Sequence, residues 1–458
     1  MQISRYSEPE FDPYGDMKQT ETDASWRAPR AAGPLAASLS LPGSKSLTNR
    51  ELVLAALADG PSTLRAPLWS RDSELMVEGL RALGTGFERV PGHGGFGDDL
   101  RVTPADELVG STTIDCGLAG TVMRFLPAVA ALALGPTTFD GDEYARKRPM
   151  SGVIDGLKGL GVDLDDDRRG TLPFTVHGTG RVSGGALEID ASASSQFVSG
   201  LLLSAARFEE GLDLRHVGDR LPSLPHIEMT IATLAARDVV VETPETGRWR
   251  VSPGPIRAVD VDIEPDLSNA APFLVAALVA GGSVTITGWP AETTQVGAQL
   301  AELLPQFGAR VERDGDRLTV HAPTPATGAG SGRGIRGVDL DLSEAGELVP
   351  NLVALAAFAD GPSTFTGIGH IRHHETDRLA ALAAELNGLG GRVTELDDGL
   401  RIEPTDLHGG VWHAYADHRM ATTGAIVGLA VDDVVVDDIG STSKTLPQFT
   451  RLWEQLLA

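Results

Sequence analysis

Six short loops of the chain combine helix-starting residues with side chains that could bind an anion. They read LPGSKSLTNR, CGLAGTVMRF, ASASSQFVS, EPDLSNAAPF, LSEAGELVPN and YADHRMATTG, and each precedes an apolar helical stretch. The start of a helix presents unpaired N–H groups and a partial positive charge, which favour bound phosphates and carboxylates. Ordinary helix capping is the alternative, and it would explain the Ser and Asp residues. It does not explain the larger side chains at equivalent places, which are Lys45, Arg50, Arg124, Gln196, His418 and Arg419.

The overall charge of the chain gives these local cations their meaning. The chain has 38 Lys and Arg against 63 Asp and Glu, a formal net charge of -25. Such a protein is repelled by nucleic acid and by anionic membranes, and it repels an anionic ligand unless basic groups are concentrated locally. We therefore expect no nucleic-acid or membrane partner, and we expect the scarce cations to converge on one pocket.

Length and composition describe an ordinary globular protein. With 458 residues, of which 41% are hydrophobic and 22% charged, the chain is too long for one compact core and predicts two domains. Its sequence has no apolar run of bilayer-spanning length, no signal-peptide pattern, and a single cysteine, Cys116, which cannot form an internal disulfide. We expect a cytoplasmic monomer whose residues 1–28 form a flexible acidic tail.

The chain also repeats one pattern six times. An apolar helix tail, a turn and a β-rich run recur, and the turn positions lie 71 to 79 residues apart. These turn positions are Gly60, Gly135, Gly211, Gly282, Gly361 and Asp433. After each turn strand come an amphipathic helix and a hairpin, such as RVERDGDRLTVHA with Asp-Gly at its turn. The order predicts an α/β protein of six β-α-β-α-β-β units, with chance echoes of Gly-punctuated sequence as the alternative.

Seven segments carry a family resemblance, and they occur in the order of that family. The segments are LPGSKSLTNR (41–50), LAGTVMR (118–124), RKRP (146–149), SSQF (194–197), HETDRL (374–379), ADHRMA (416–421) and SKT (443–445). From about residue 30 to its end, the chain resembles the 5-enolpyruvylshikimate-3-phosphate synthase family. The resemblance implies a two-lobed inside-out α/β barrel of six βαβαββ repeat units, three per lobe. Residues 29–45 and 263–458 would form lobe 1, on the phosphoenolpyruvate side, and residues 46–262 would form lobe 2, on the shikimate-3-phosphate side.

The resemblance implies a reaction of the shikimate pathway, which leads to chorismate and the aromatic amino acids. The enolpyruvyl group of phosphoenolpyruvate would pass to the 5-hydroxyl of shikimate-3-phosphate, with release of phosphate. Protonation of C3 and deprotonation of the hydroxyl require an acid or base on each side of the ligands, together with several cations. By resemblance, Glu375 donates the proton to C3, Glu347 is the base, and Lys45 contacts both substrates and can shuttle protons. The resemblance implies no cofactor and no metal ion.

The matched motifs also imply two sets of substrate contacts. Those to shikimate-3-phosphate are Lys45, Ser46, Arg50, Ser194, Ser195, Gln196, Ser223, His226, Glu347 and His374. Those to phosphoenolpyruvate are Lys45, Gly120, Arg148, Gln196, Arg378, Arg419 and Lys444. The planar fork of Arg matches carboxylate and phosphate geometry. Because Gly120 leaves room for close approach, we expect glyphosate, a phosphonate and carboxylate anion, to compete with phosphoenolpyruvate.

Several positions leave alternatives open. Glu344 could take the place of Glu347, which is favoured by its distance from the following DGPSTFTG. Arg50 could be a solvated charge on a helix face. His374 stands where many relatives have Lys, so we expect the strength of its hydrogen bond to substrate to depend on pH. His226 stands at a position where relatives have Tyr.

Three other functions are alternatives to this interpretation. The segment HIRHHE (370–375) could bind zinc, although its spacing places two His on one face only in a helix and no Cys is near. A UDP-N-acetylglucosamine enolpyruvyl transferase would share the architecture, but that family carries a reactive Cys in the loop corresponding to GDEYARKRP, where this chain has none. A non-catalytic regulator on the same fold would be expected to have lost part of the charged set.

Overall fold

The computed structural model describes residues 25–92, 95–324 and 332–458. The strands are β1 (Trp26–Arg27), β2 (Leu35–Ser40), β3 (Ser62–Arg65), β4 (Gly86–Val90), β5 (Asp99–Thr103), β6 (Thr112–Asp115), β7 (Leu134–Asp140), β8 (Asp163–Asp165), β9 (Phe174–Thr179), β10 (Gly185–Ile189), β11 (Leu212–His216), β12 (Val241–Glu245), β13 (Arg248–Val251), β14 (Val261–Asp262), β15 (Gly282–Thr287), β16 (Arg310–Asp314), β17 (Arg317–His321), β18 (Asp339–Asp341), β19 (Ser363–Thr366), β20 (Arg392–Leu396), β21 (Gly399–Glu403), β22 (Gly410–Trp412) and β23 (Val434–Val436). The helices are α1 (Lys45–Ala56), α2 (Arg71–Ala82), α3 (Gly120–Ala131), α4 (Ser151–Gly159), α5 (Gln196–Ala205), α6 (Leu224–Ala235), α7 (Ala271–Ala280), α8 (Leu300–Gln306), α9 (Val349–Ala357), α10 (Arg378–Gly388), α11 (His418–Gly428) and α12 (Phe449–Leu457). Short 3₁₀ turns cover Ala145–Lys147, Val296–Gln299, Gly369–His373 and Ile439–Lys444.

The strands form six sheets, and five of them share one order. The sheets are β14-β3-β5-β4, β6-β7-β9-β8, β10-β11-β13-β12, β16-β17-β15-β2, β18-β19-β21-β20 and β1-β23-β22. In the second of these, β6 runs parallel to β7 and is joined to it by α3, while β8 and β9 form an antiparallel hairpin after α4. This is the predicted β-α-β-α-β-β unit, and the predicted fold class is confirmed.

The sixth sheet differs from the others because it has three strands. The strand β1 pairs antiparallel with β23 on the side opposite β22 and stands where the other sheets carry a hairpin. Residues 1–24 of the predicted acidic tail lie outside the described residues. The last four tail residues are structured, since Trp26 and Arg27 form β1 and Ala28 is buried in the core. The prediction of a tail was therefore wrong for residues 25–28.

Buried side chains form two separate hydrophobic cores. One core contains residues between Leu52 and Ile263, and the other contains Ala28 to Leu41 together with Leu267 to Leu456. We use lobe 2 for the first group and lobe 1 for the second. The predicted boundaries at 45/46 and 262/263 and the assignment of one substrate to each lobe remain predictions.

The helices that join the parallel strands lie inside each lobe, and the sheets lie outside. Every residue of α7 from Ala271 to Val279 is buried, and α3 is buried along its whole length. Helices that are apolar all round require such an interior position. Each fully buried Leu, Val or Phe side chain contributes roughly 1.5–3 kcal/mol to the hydrophobic term. Among the described residues, none of the helices is long and apolar enough to cross a membrane.

The chain passes between the lobes twice, and the two crossing segments pair with each other. Gly43 forms an antiparallel bridge with Pro265, Ser44 N donates to Glu264 O at 2.7 Å, and Asp266 N donates to Pro42 O at 2.9 Å. A Cβ atom on Gly43 would overlap Ala66 O, so the close approach requires glycine. The paired crossing places the start of α1 at the junction of the lobes.

Candidate active site

Residues at or next to the starts of the six inner helices, α1, α3, α5, α7, α9 and α11, line one cleft between the lobes. The main cavity has a volume of about 100 Å³, and a smaller one of about 10 Å³ adjoins it at Lys45, Ser46, His226, Val296, Glu347 and Arg419. Predicted site residues that line the main cavity are Lys45, Ser46, Arg148, Ser194, Ser195, Gln196, Ser223, His226, Glu347, His374, Glu375, Arg378 and Arg419. An overall acidic protein thus concentrates cations in one place.

Lys45 is the first residue of α1 and joins the two lobes. Its backbone N donates to Asp266 Oδ2 of lobe 1 at 3.0 Å, while its Nζ lies 3.5 Å from Asp72 Oδ2 of lobe 2. The preceding residue, Ser44, caps the helix by accepting from Leu47 N. The ammonium therefore stands at the entrance to both walls of the cleft, where it can reach ligands on either side.

The lobe 2 wall is built from uncharged donors at helix starts. Ser194, Ser195 and Gln196 begin α5, and Ser223 begins α6 with a left-handed backbone at φ 55°. Ser194, Ser195, Gln196 and Ser223 line the cavity at these two helix starts, where the positive end of the helix dipole suits a phosphate. His226, one helical turn later, faces Glu347 across the cleft with Nε2 3.6 Å from Oε1.

Arg50 lies behind this wall. Its guanidinium donates to Thr230 Oγ1 at 2.8 Å, Ser46 O at 2.9 Å and His226 O at 2.8 Å, and 1% of the residue is exposed. Burial lowers the pKa of Arg50 to about 10. The alternative of a solvated helix-face charge is wrong, and the structure places Arg50 as a tie between α1 and α6.

A second group of cations surrounds the start of α3. A Cβ atom on Gly120 would lie 2.8 Å from Arg124 Nη1, 3.0 Å from Arg148 Nη2 and 3.1 Å from Gln196 Oε1. Arg124 donates to Gly120 O, Gln196 Oε1 and Pro149 O, so it braces the loop. Burial and the nearby Arg148 hold the pKa of Arg124 well below its usual range. Each additional anion in this pocket would relieve the repulsion between the two guanidinium groups.

Glu347 lies at the centre of the lobe 1 wall. Its Oε1 accepts from Ser268 Oγ at 2.7 Å, and its Oε2 accepts from Arg419 Nη2 at 3.2 Å. Burial alone would raise the pKa of Glu347, but His226, Arg419 and the Ser268 hydrogen bond outweigh burial and lower it. The carboxylate is therefore ionised and able to accept a proton.

Glu344 also lines the cavity, in a different environment. Burial together with Glu228 and Asp341 raises the pKa of Glu344 against a backbone hydrogen bond from Leu224, and Oε2 of Glu344 has no hydrogen-bond partner among the described residues. The two carboxylates thus differ in charge compensation: Glu347 contacts a cation and a hydroxyl, whereas Glu344 accepts a backbone N–H and has acidic neighbours. This difference favours Glu347 as the base, although the choice between them remains a prediction.

Glu375 lies within a compact ionic cluster at the start of α10. Its carboxylate pairs with Lys444 and accepts from Arg378 Nη2 at 2.9 Å. Arg378 also donates through Nε and Nη2 to Asp417 at 2.8 and 3.1 Å. Burial would raise the pKa of Glu375, but Lys444, Arg378 and Arg148 outweigh it and hold the pKa well below its usual range. In the absence of other anions, Glu375 is deprotonated.

Three histidines line the cleft; His370 and His418 are buried, and His374 is half-buried. His374 Nδ1 accepts from Arg378 Nη1 at 2.8 Å, which leaves the imidazole proton on Nε2. Burial and Arg378 hold the pKa of His374 well below its usual range, and burial lowers those of His418 and His370, the last to about 4. The predicted pH dependence of a His374 hydrogen bond to substrate stays a prediction, and the lowered pKa moves any such change below neutral pH.

The zinc alternative concerned this histidine region. The segment Gly369–His373 is a 3₁₀ turn, and the rings of His370 and His374 stand edge to face with centroids 5.9 Å apart. Within the described ranges, no group of three or more His, Cys, Asp or Glu is arranged to hold a metal ion.

Sequence reasoning missed several residues that position the predicted ones. Asp417 fixes both Arg378 and the backbone N of Arg419, Ser268 holds Glu347, and Asp72 faces Lys45. Asp417 and Ser268 occur in the loops that predicted anion binding, where an acidic or hydroxyl side chain was interpreted as an ordinary cap. A search for carboxylates beside the predicted cations would have found Asp417.

Together, the fold and the cleft define a class of two-lobed α/β proteins whose cleft, lined by cations and carboxylates, suits phosphorylated and carboxylated anions. Comparison with known proteins gives the particular family. The family model for EPSP synthase (3-phosphoshikimate 1-carboxyvinyltransferase) matches residues 29–453. The chain therefore belongs to the EPSP synthase family.

Individual relatives agree with this membership. A 3-phosphoshikimate 1-carboxyvinyltransferase of Kocuria rhizophila is 55% identical over 440 residues, covering 95% of this chain and 97% of the relative. An EPSP synthase structure from Acinetobacter baumannii superposes with a TM-score of 0.74 at 22% identity, covering 94% of this chain and 98% of that one. The structure of the enolpyruvyl transferase NikO from Streptomyces tendae superposes with a TM-score of 0.70 at 20% identity, covering 93% of this chain and 96% of that one. These two structural matches support the fold.

The activity predicted from the sequence is confirmed by this family and by the Kocuria relative. The enzyme transfers the enolpyruvyl group of phosphoenolpyruvate to the 5-hydroxyl of shikimate-3-phosphate and releases phosphate, a step of the shikimate pathway. The UDP-N-acetylglucosamine transferase and the non-catalytic regulator are set aside. Cys116 is buried in the lobe 2 core, and burial raises the pKa of its thiol, so it is not a reactive cysteine of the cleft.

Proposed function

We propose that shikimate-3-phosphate binds along the lobe 2 wall and phosphoenolpyruvate binds between the walls. The observation that supports this most strongly is the convergence of Lys45, Arg148, Arg378 and Arg419 on one cavity whose opposite side carries serine-rich helix starts. The helix starts at Ser194 to Gln196 and at Ser223 suit the ring-bound phosphate of shikimate-3-phosphate. Arg50 supports that wall from behind by fixing Ser46.

The proposed binding set for phosphoenolpyruvate is Lys45, Gly120, Arg148, Gln196, Arg378, Arg419 and Lys444. Several of these cations already contact protein carboxylates, as Lys444 and Arg378 contact Glu375. An arriving phosphate and carboxylate would share these cations and weaken their hold on Glu375. The pKa of Glu375 would then rise, and the carboxyl group would take up a proton as phosphoenolpyruvate binds.

Glu375 is thereby proposed as the acid and Glu347 as the base. Glu375 donates its proton to C3, so that C2 becomes cation-like, while Glu347 accepts the proton of the attacking 5-hydroxyl. The addition intermediate then returns a C3 proton to Glu375 and expels phosphate, which restores the vinyl group on the new ether. The phosphate carries away the proton that Glu347 accepted, so both carboxyl groups regain their starting protonation. Lys45 and the arginines stabilise the phosphate charge that develops as this bond breaks.

The experiment that tests these roles follows C3 of phosphoenolpyruvate in deuterated water. Reversible protonation exchanges the C3 hydrogens with solvent, and proton NMR records the loss of the vinyl signals. We expect Glu375→Gln to abolish this exchange and to lower phosphate release by about 10²–10⁴-fold, the usual range for a general acid. Glu347→Gln should lower phosphate release similarly. Deuterium incorporation at the wild-type rate in Glu375→Gln would show that another group protonates C3.

We further propose that the enzyme works as a cytoplasmic monomer and that glyphosate competes with phosphoenolpyruvate. A chain with one buried cysteine has no internal disulfide to gain from an oxidising compartment. Sedimentation velocity at micromolar concentration tests the oligomeric state, with a single species near the 48.0 kDa of the chain expected.

A further inference from the structure

A left-handed turn of two residues leads into the ionic cluster. Tyr415 and Ala416 have φ values of 56° and 53°, and neither is glycine. Non-glycine residues adopt this conformation only where the surrounding structure holds them in it. The next residue, Asp417, caps α11 and binds Arg378. The turn therefore determines where this carboxylate stands.

One buried carboxylate holds the outer side of this turn. Tyr415 Oη donates to Glu385 Oε1 at 2.6 Å, and His413 N donates to Glu385 Oε2 at 2.8 Å. Glu385 is 6% exposed. Burial and the bond to Glu385 raise the pKa of Tyr415 to about 12, so its hydroxyl remains a donor throughout the physiological range.

The same helix carries both anchors of the turn. Arg378 is the first residue of α10, and Glu385 lies two helical turns later on the same face. Arg378 contacts Asp417 after the turn, while Glu385 contacts Tyr415 within it. The segment 413–417 is thus attached to α10 at two points, and loss of either point would let the helix shift relative to the turn.

We propose that Tyr415 and Glu385 are positioning residues of the active site, which act through Asp417 on Arg378 and Arg419. The turn also contacts the other lobe, since Ala416 packs against the lobe 2 core. Its geometry therefore depends on the contact between the lobes as well as on α10. The inference rests on the proposed role of Arg378 as a ligand of phosphoenolpyruvate.

The test measures steady-state phosphate release by Tyr415→Phe, which removes only the hydroxyl. We expect the KM for phosphoenolpyruvate to rise about five- to tenfold, the effect of losing one ordinary hydrogen bond, because Tyr415 acts on the ligand only through the turn. The KM for shikimate-3-phosphate should stay within about twofold, because the lobe 2 wall is unaltered. Glu385→Gln retains an acceptor for the Tyr415 hydroxyl. Its KM for phosphoenolpyruvate should therefore lie between those of the wild type and of Glu385→Ala.

Two further variants make the result decisive. Tyr144→Phe is the matched control, since Tyr144 is 45% exposed on lobe 2, and it should behave as wild type. An unchanged KM for phosphoenolpyruvate in Tyr415→Phe, or equal increases of both KM values with a lower melting temperature, would overturn the proposal. Arg378→Lys separates the two assignments: if it leaves the KM for phosphoenolpyruvate unchanged, the proposed role of Arg378 fails instead.

Discussion

The cations on the two sides of the cleft have different hydrogen-bond partners. On the lobe 1 wall, Arg378, Arg419 and Lys444 each contact a carboxylate. Behind the lobe 2 wall, Arg50 and Arg124 donate hydrogen bonds to carbonyl, hydroxyl and amide oxygen atoms. The pKa of Arg378 is accordingly raised by Asp417 and Glu375 against the effect of burial, whereas burial lowers those of Arg50 and Arg124.

This difference indicates that the two walls have different functions. Buried cations without a carboxylate partner are costly, and a bound anion relieves that cost. Cations paired with carboxylates gain less from an anion, but the pairing couples ligand binding to the protonation of the carboxylate. The lobe 2 wall is therefore suited to hold an anion, and the lobe 1 wall is suited to move protons.

Lys45 belongs to neither wall alone, so its removal should have the largest effect. Lys45→Ala should lower the kcat for phosphate release by about 10³-fold, the upper range for removal of one charge-stabilising donor. Circular dichroism should show an unchanged fold, because the side chain is partly exposed at 21%. The exposed Lys147→Ala is the control. Near-normal turnover of Lys45→Ala at saturating substrate concentrations would show that Lys45 does not act on the ligands held between the two walls.

Gly120 tests whether the anion pocket around α3 is limited by space. In Gly120→Ala, the added methyl group would press on Arg124, Arg148 and Gln196 at 2.8 to 3.1 Å. We expect the KM for phosphoenolpyruvate to rise about tenfold, equivalent to ~1.4 kcal/mol and within the range for overpacking. Competitive inhibition by glyphosate should weaken at least as much. If the KM for phosphoenolpyruvate and the inhibition constant of glyphosate were unchanged in Gly120→Ala, phosphoenolpyruvate would not bind next to Gly120.

Neutral histidines on the lobe 1 wall predict acid sensitivity. The folded-state pKa values of His370, His374 and His418 lie below the unfolded value near 6.5, so the unfolded chain binds more protons as the pH falls. Stability should be fully present above pH 6.5 and should decrease toward pH 4 by about 1.4 kcal/mol per pH unit for each histidine. Thermal unfolding at pH 7 and pH 5 measures this, and His370→Leu should flatten the dependence.

The smallest expected effect concerns closure of the cleft. Arg220 of lobe 2 forms a bidentate pair with Asp398 of lobe 1, at 3.0 and 2.9 Å, and both side chains are nearly half exposed. Since exposed ion pairs contribute about 0.2–1 kcal/mol, Arg220→Asp should raise both KM values about two- to fivefold. Adding Asp398→Arg should restore them.

A second pair serves as control for that exchange. Reversing Arg248 and Asp213, which pair within lobe 2, should change neither KM. Small-angle scattering should show compaction when shikimate-3-phosphate binds, and less of it in Arg220→Asp. Equal compaction in the wild type and in the variant would show that the Arg220–Asp398 pair does not contribute to closure of the cleft.

The sequence alone determined the repeat and the location of the site. Glycine turns and apolar helices at a steady spacing predict six units, because each unit must bury one helix behind its sheet. The Ser- and Lys-bearing loops predict anion binding because helix starts have unpaired N–H groups, a local property of the chain. Lys45, Gln196 and Arg419 were therefore predictable as members of one cleft once the repeats were recognised, whereas Glu375 followed only from the family resemblance.

Only the tertiary structure decided how these side chains are paired. The charge of Glu375 depends on Lys444, which lies 69 residues away in the sequence, and the neutrality of His374 depends on burial and on Arg378. The burial of Arg50 follows from its contacts with α6, and the turn at Tyr415 is held by Glu385 on α10. Electrostatic interactions and desolvation depend on distance and burial in space, and neither quantity can be obtained from spacing along the chain.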